Sequence, residues 1–176
     1  NEEESTGIIP ENRIKVLKLK VENGKVRAAT VDMGRPILIP SEIPVVSAKD
    51  EFINEPINIE GKDWYFTCVS MGNPHAVTFV DDTKSLDLPA IGPKFEFNEI
   101  FPNRTNTEFI KVISRTKLEM RVWERGSGET LACGTGACAS AYAAILNNLA
   151  EDEVTIHLLG GELIIKYDRD SDHIFM

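Results

Sequence analysis

The chain has 176 residues, 42% of them apolar and 27% charged, which is the balance of an ordinary soluble globular protein. The 28 acidic residues outnumber the 19 basic ones, so the formal net charge is −9. This excess argues against binding a phosphate backbone, which requires clustered lysine and arginine, and we expect no nucleic-acid partner. No apolar run approaches the roughly 18–20 residues that span a bilayer, and we expect no membrane partner.

The first half of the chain alternates between strands and proline-rich connections. Period-two patterns predict strands in residues 14–21, 26–33, 57–60, 64–71 and 75–80. Asn23-Gly24 joins the first two, because this pair supplies the positive φ angles of a tight type I′ turn. Four prolines predict an irregular connection over residues 34–56.

The second half adds strands and helical segments. Residues 83–103 are mixed and predict one short helix that ends near Gly92-Pro93. Further strands are predicted in residues 107–113, 117–123, 154–159 and 162–167, and residues 173–175 are strand-like. We interpret residues 1–12 as a linker from a preceding segment and residues 13–176 as a single domain, because neither end carries a start or stop signal.

Residues 136–148 predict the clearest helix, since they consist largely of strong helix formers and contain no charged face. A helix that is apolar and small-sided all round must be buried. We therefore expect an α+β fold in which mostly antiparallel β-strands wrap around one buried central helix.

The strand that precedes this helix carries a carboxylate inward. Leu118, Met120 and Val122 share one face, and period two brings Glu124 onto the same face. A carboxylate on an apolar face needs a partner, which either Arg125 or a bound ligand could supply.

Cys133 stands at the predicted helix start. A helix N-terminus carries unpaired N–H groups and a partial positive charge, so we expect the thiol pKa to fall below its usual ~8.5. The same amides can bind a carboxylate, and a thiolate beside a carboxylate can move a proton at the adjacent carbon. The other thiols, Cys68 and Cys138, lie inside a strand and a helix and are interpreted as small buried hydrophobes. The three cysteines fit no disulfide framework or zinc motif, so we predict a reducing cytoplasm and no metal.

Several motifs resemble those of diaminopimelate epimerases. The most specific is the family's second cysteine signature, Arg125-Gly126-x-Gly128-Glu129-Thr130-x-Ala132-Cys133-Gly134-Thr135-Gly136-Ala137-Cys138-Ala139. Similar stretches are Val31-Asp32-Met33-Gly34, Met71-Gly72-Asn73-Pro74-His75 and Phe101-Pro102-x-Arg104-Thr105-Asn106-x-Glu108-Phe109. The resemblance implies the epimerase fold, a homodimer, and cofactor-free interconversion of LL- and meso-diaminopimelate.

The resemblance also implies individual roles. Cys133 would be one of two acid/base thiols, assisted by His75 and Glu124. The amides of Gly134 and Thr135 would bind the carboxylate at the reacting centre. Contacts to the rest of the substrate would come from Asn73, Asn106, Glu124 and Arg125.

Plain structural interpretations stay open beside these roles. Asn73-Pro74 could be an ordinary turn, His75 a satisfied core histidine, and Asn106 a turn or cap residue. The family's first signature, of the Gly-Asn-Gly-x-Arg-Cys type, does not occur in these residues, so the resemblance covers a C-terminal half. The second cysteine would come from a missing N-terminal half, and the 176 residues alone are expected to be inactive. The rival functions are a non-catalytic module that binds an amino-acid carboxylate, and a proline-racemase-like isomerase.

Overall fold

The computed structural model describes residues 17–176, which form one eleven-stranded sheet and two α-helices. The strands are β1 (Leu17–Glu22), β2 (Lys25–Gly34), β3 (Glu55–Ile59), β4 (Lys62–Ser70), β5 (Pro74–Phe79), β6 (Asn106–Ser114), β7 (Lys117–Glu124), β8 (Gly128–Thr130), β9 (Glu153–Leu158), β10 (Gly161–Asp168) and β11 (His173–Phe175). The helices are α1 (Leu88–Glu96) and α2 (Gly134–Leu146), with one 3₁₀ turn at Pro40–Glu42. The interpretation of residues 1–12 as a linker lies outside the described residues.

The strand order is β1-β2-β11-β10-β9-β7-β6-β5-β4-β3, and β8 pairs with β7. Neighbours are antiparallel except for two parallel pairs, β5 with β6 and β7 with β9. The mostly β fold is confirmed, and every strand predicted within the described residues is present with shifted ends. At the first hairpin Asn23 and Gly24 both take the positive φ expected of a tight turn.

Three details differ from the sequence-based predictions. Strand β8 was not predicted, because three residues beside glycines carry no readable alternation. Helix α1 continues through Pro93 to Glu96 instead of ending near Gly92-Pro93. It does so because proline removes only one helical donor, while Leu88 and Phe95, on either side of it, are fully buried. Helix α2 begins at Gly134, two residues before the predicted start.

The sheet separates two hydrophobic clusters. Along β4 to β7 successive residues alternate between them, so that Val77 and Ile110 belong to one cluster and Ala76 and Phe109 to the other. The first cluster contains α2, whose residues 136–144 are buried, and the second contains Leu88 and Phe95 of α1. The helices therefore cover opposite faces, and the expectation of one central helix is not confirmed in that simple form. No helix within residues 17–176 combines the length and apolar character needed to cross a membrane.

Candidate active site

Three polar side chains meet, buried, at the start of α2. They are His75 on β5, Glu108 on β6 and Cys133 at the N-cap of the helix. A ring nitrogen, a carboxylate oxygen and the thiol sulfur all lie within 4.8 Å of one another. His75 and Glu108 are fully buried, and Cys133 is 7% exposed.

The parallel pairing of β5 and β6 explains how the first two side chains meet. Val77 is the register partner of Glu108, and both belong to the face covered by α2. Period two places His75 on the same face as Val77. The pairing therefore brings together two residues that are 33 positions apart in the chain.

His75 is held by hydrogen bonds at both ring nitrogens. Its Nδ1 lies 2.6 Å from Glu108 Oε1, and its Nε2 lies 3.0 Å from Asn73 Oδ1. Among the described groups, the second carboxylate oxygen of Glu108, Oε2, is buried without a hydrogen-bond partner. A buried histidine bonded on both sides is oriented, so its ring cannot turn without losing a contact.

Cys133 caps α2 through its sulfur, which accepts a hydrogen bond from the Gly136 N–H at 3.4 Å. The Thr135 hydroxyl lies 3.7 Å from the same sulfur. Burial, and next the negative charge of Glu108, raise the pKa of the thiol to about 12, while the Thr135 and Gly136 contacts lower it.

The expected fall of this pKa is therefore wrong. The helix N-terminus does act in the predicted direction, through the bond from Gly136. However, desolvation and the buried Glu108 carboxylate outweigh it, and Glu124 adds a further charge that raises the pKa of Cys133. The surroundings of Cys133 therefore favour the protonated thiol over the thiolate.

These three residues are also chemically able to bind a divalent metal. Ligation would need an unprotonated ring nitrogen and a thiolate. Both nitrogens of His75 already lie within hydrogen-bond distance of oxygen atoms, those of Glu108 and Asn73. The arrangement suits the holding and moving of a proton better than the holding of a metal.

Glu124 and Arg125 point different ways. Glu124 follows Val122 on the α2 side, half-buried, and accepts a short hydrogen bond from the Thr130 hydroxyl. The Arg125 side chain is exposed, and its Nη1 donates to the Asn103 carbonyl at 3.0 Å. Of the two partners considered for Glu124, Arg125 is not paired with it in the described structure, and the Arg125 side chain contacts Asn103 instead.

The asparagines that the resemblance assigns to substrate lie in unlike settings. Asn73 is half-buried beside the His75 ring. Asn106 is 4% exposed, and its amide already binds backbone at both ends. It donates to the Pro74 carbonyl at 2.8 Å and accepts from the Arg125 N–H at 2.9 Å. Asn106 thus ties the start of β5 to the turn after β7.

Gly134 and Thr135 form the first turn of α2, where helix geometry leaves N–H groups without intrahelical acceptors. The Met176 sulfur lies beside Gly134, at 3.2 Å from the position that a Cβ would take. Cys68 and Cys138 are fully buried within the two hydrophobic clusters, as expected of small core residues.

The site residue that sequence reasoning missed is Glu108. The alternation of β6 carried a signal for it, since Glu108 shares a face with the apolar Ile110 and Val112. The same argument was applied to Glu124 on β7, where the neighbouring residues are similarly apolar.

Comparison with known proteins identifies the family of the chain. A family model described as diaminopimelate epimerase matches residues 67–176. The chain is 55% identical to a diaminopimelate epimerase of Acetivibrio thermocellus over 93% of this chain and 58% of that protein. It is 52% identical to one of Agathobacter rectalis over 93% of this chain and 60% of that protein.

The chain belongs to the diaminopimelate epimerase family, and the relatives it matches are named diaminopimelate epimerases. It spans a little under 60% of the length of the first of these relatives.

Solved structures with low sequence identity share the fold. A hydroxyproline epimerase from Agrobacterium vitis superimposes with a TM-score of 0.63 at 12% identity, over 92% of this chain and 52% of that one. A structure described as a predicted epimerase from Pseudomonas aeruginosa gives 0.60 at 17% identity, over 98% of this chain and 62% of that one.

Proposed function

We propose that Cys133 is one of two acid/base thiols in the cofactor-free interconversion of LL- and meso-diaminopimelate. The observation that carries this proposal is a buried thiol at the start of α2, packed beside the His75–Glu108 pair in a member of the diaminopimelate epimerase family. The product of this interconversion would serve the synthesis of lysine and of cell-wall precursors.

Inverting a carbon without a cofactor requires a base on one side of the substrate and an acid on the other. Because its surroundings favour the protonated thiol, Cys133 suits the acid that delivers a proton. The N–H groups of Gly134 and Thr135 would bind the carboxylate next to the reacting carbon. They would also stabilise the negative charge that develops there. A serine could not replace the thiol, because the pKa of its hydroxyl is too high.

The base on the opposite side would be a second cysteine. We assign it to a preceding segment of the polypeptide, because the relatives are longer than this chain. Residues 13–176 would form one domain, and the complete enzyme would be a cytoplasmic homodimer.

The remaining contacts fall to residues around the cluster. Asn73 would reach the distal end of the substrate, with its amide set by the bond to His75. Glu124 and Arg125 would contact its amino and carboxylate groups. Asn106 would act mainly by shaping the wall of the site, since both ends of its amide already bind backbone.

The test is exchange of the α-hydrogen of diaminopimelate in deuterated water, measured on the polypeptide that carries both halves. Cys133→Ser should slow exchange by roughly 10²–10⁴-fold while leaving the melting temperature close to that of the wild type. Cys138→Ala is the matched control, because this thiol is fully buried in the core of α2. It should lower stability and change exchange little. Wild-type exchange by the Cys133 variant, or an equal loss in the control, would contradict the proposal.

The coding sequence upstream of Asn1 offers a direct check on the second thiol. An in-frame Gly-Asn-Gly-x-Arg-Cys motif would supply it. A start codon adjacent to Asn1 would instead favour a carboxylate-binding module, which binds diaminopimelate saturably without exchanging its α-hydrogen. Offering proline in the same assay tests the proline-racemase-like alternative, for which the structural likeness to a hydroxyproline epimerase supports the fold alone.

A further inference from the structure

Glu108 carries a charge into the core beneath α2. Its side chain is fully buried, its Oε1 contacts His75, and its Oε2 has no hydrogen-bond partner among the described groups. Burying a carboxylate is costly unless the charge is paired, and an unpartnered oxygen adds to that cost. If the side chain only filled space, an apolar residue, like Ile110 on the same face, would do so without the free-energy cost of burying a charge.

We propose that Glu108 is a positioning residue of the site, which holds the His75 ring through Nδ1 and so fixes where the ring proton lies. Its action on the reaction would pass through His75 and the neighbouring Cys133 thiol. The functional part of this inference rests on the proposed function, whereas the arrangement itself can be measured without any catalysis.

The chemistry of the ring explains why a carboxylate is needed. A neutral imidazole has one N–H, yet both nitrogens of His75 face oxygen atoms, Glu108 Oε1 and Asn73 Oδ1. With Glu108 ionised, its carboxylate can only accept, which makes Nδ1 the donor in the 2.6 Å contact. The Nε2 side then either carries a second proton or accepts from a turned Asn73 amide. In both cases Glu108 determines that Nδ1 is protonated.

Gly136 makes the close approach of the Glu108 carboxylate to the start of α2 possible. A Cβ at position 136 would lie 2.5 Å from Glu108 Oε1, closer than real Cβ atoms are found, and 3.1 Å from the Cys133 sulfur, which is a tight contact. A glycine in the first turn of α2 therefore leaves the space that the carboxylate occupies beside the thiol. The absence of a side chain at Gly136 and the presence of the carboxylate at Glu108 therefore depend on each other, although 28 positions separate the two residues in the sequence.

The charge on Glu108 also acts on the thiol. It is the second-largest cause of the raised pKa of Cys133, after burial. The carboxylate thus orients the imidazole on one side and disfavours the thiolate on the other, which keeps a proton on each of its neighbours.

The experiment is ¹⁵N nuclear magnetic resonance of the histidine rings in the 176-residue chain. The rings of His157 and His173 are assigned by substituting each in turn. In the wild type, His75 should have a protonated Nδ1 with a slowly exchanging hydrogen. In Glu108→Gln that hydrogen should be lost, or exchange at least roughly tenfold faster, because a charge-assisted bond is replaced by a weaker neutral one. Glu129→Gln, which removes a carboxylate paired with Arg121 in the same sheet, should leave the His75 signals unchanged.

A second variant guards against misfolding of the first. Gly136→Ala keeps Glu108 but displaces its Oε1, and it should give the same loss of the Nδ1 hydrogen. An unprotonated Nδ1 in the wild type overturns the proposal whatever the variants do, and so does a His75 spectrum that Glu108→Gln leaves unchanged.

Exchange of diaminopimelate α-hydrogen in the complete polypeptide separates the two proposals. The positioning role predicts that Glu108→Gln lowers kcat at least roughly tenfold with little change in KM. If the wild type shows no exchange but Nδ1 protonation depends on Glu108, the proposed function fails and the pairing stands. If exchange is normal in Glu108→Gln, the function stands and the positioning role fails.

Discussion

The two helices approach the sheet in the same way but meet very different surfaces. Each comes close through a glycine. A Cβ at Gly92 of α1 would lie 2.2 Å from the Trp123 ring, and one at Gly136 of α2 would lie 2.5 Å from the Glu108 carboxylate. Gly92 leaves space for the indole ring of Trp123, and Gly136 leaves space for the carboxylate of Glu108. Close helix packing therefore brings α1 against an aromatic ring and α2 against the buried polar cluster.

The α1 face is built from aromatic rings. Phe95 packs edge-on against Trp64, Phe66 and Phe109, with ring centroids 5.0–5.6 Å apart. Each such ring buries a large apolar area, and each pair adds to that gain. The α2 face has mostly alanines on the helix, and the polar cluster lies at its N-terminal end. The α1 face therefore packs around a cluster of rings, whereas the α2 face packs small helix side chains and the Tyr142–Tyr167 pair beside a buried polar cluster.

The largest effect expected from this comparison is on the α1 face. Phe95→Ala removes a fully buried ring that touches three others, and it should cost about 3–5 kcal/mol in the free energy of unfolding. Phe97→Ala is the control two residues away, where the side chain is 64% exposed, and it should cost less than about 1 kcal/mol. Urea unfolding monitored by circular dichroism measures both. Equal costs would mean that Phe95 does not lie among the three rings where the structure places it.

A smaller effect is expected at the glycines of α2. Gly136→Ala forces a Cβ against both Glu108 and Cys133, and should destabilise the chain by about 1–3 kcal/mol, although alanine favours helix. In Gly134→Ala the nearest atoms belong to the flexible Met176 side chain, so the change should stay within about 1 kcal/mol. Thermal unfolding of the two variants side by side provides the measurement. A neutral Gly136→Ala would mean that Glu108 does not lie where the structure has it.

The smallest effect is the response of the α2 face to alkaline pH. Folding raises the pKa of Cys133 to about 12, so between its unfolded value near ~8.5 and that pH the unfolded state binds fewer protons. The free energy of unfolding should therefore fall as pH rises, by at most about 1.4 kcal/mol per pH unit from this thiol. Burial raises the pKa of Cys68 as well, which adds a slope of the same sign.

Cys133→Ala should remove the contribution of Cys133 to the slope of unfolding free energy against pH, and Cys68→Ala should remove that of Cys68. Urea midpoints at pH 7, 8.5 and 10 measure this dependence. Identical slopes in the wild type and the Cys133 variant would show that the thiol has an ordinary pKa.

The sequence predicted most of the strands and the buried helix, because these depend on local patterns. Alternation along β7 placed Leu118 and Met120 inside, and the absence of charge over residues 136–148 placed α2 in the core. Local patterns failed where a short segment carried no alternation, as in β8. They also failed at Pro93, where burial of the surrounding residues outweighed the proline.

The candidate site likewise has features that local motifs predict and features that depend on the fold. Sequence motifs alone were enough to single out Cys133 and His75 and to suggest the family. They could not indicate that Glu108 lies 2.6 Å from His75, because that contact depends on the parallel register of β5 and β6. Nor could they determine whether the pKa of Cys133 rises or falls. A helix N-terminus is visible in a sequence, whereas the depth of burial and the charge that faces a thiol across the sheet exist only once the chain has folded.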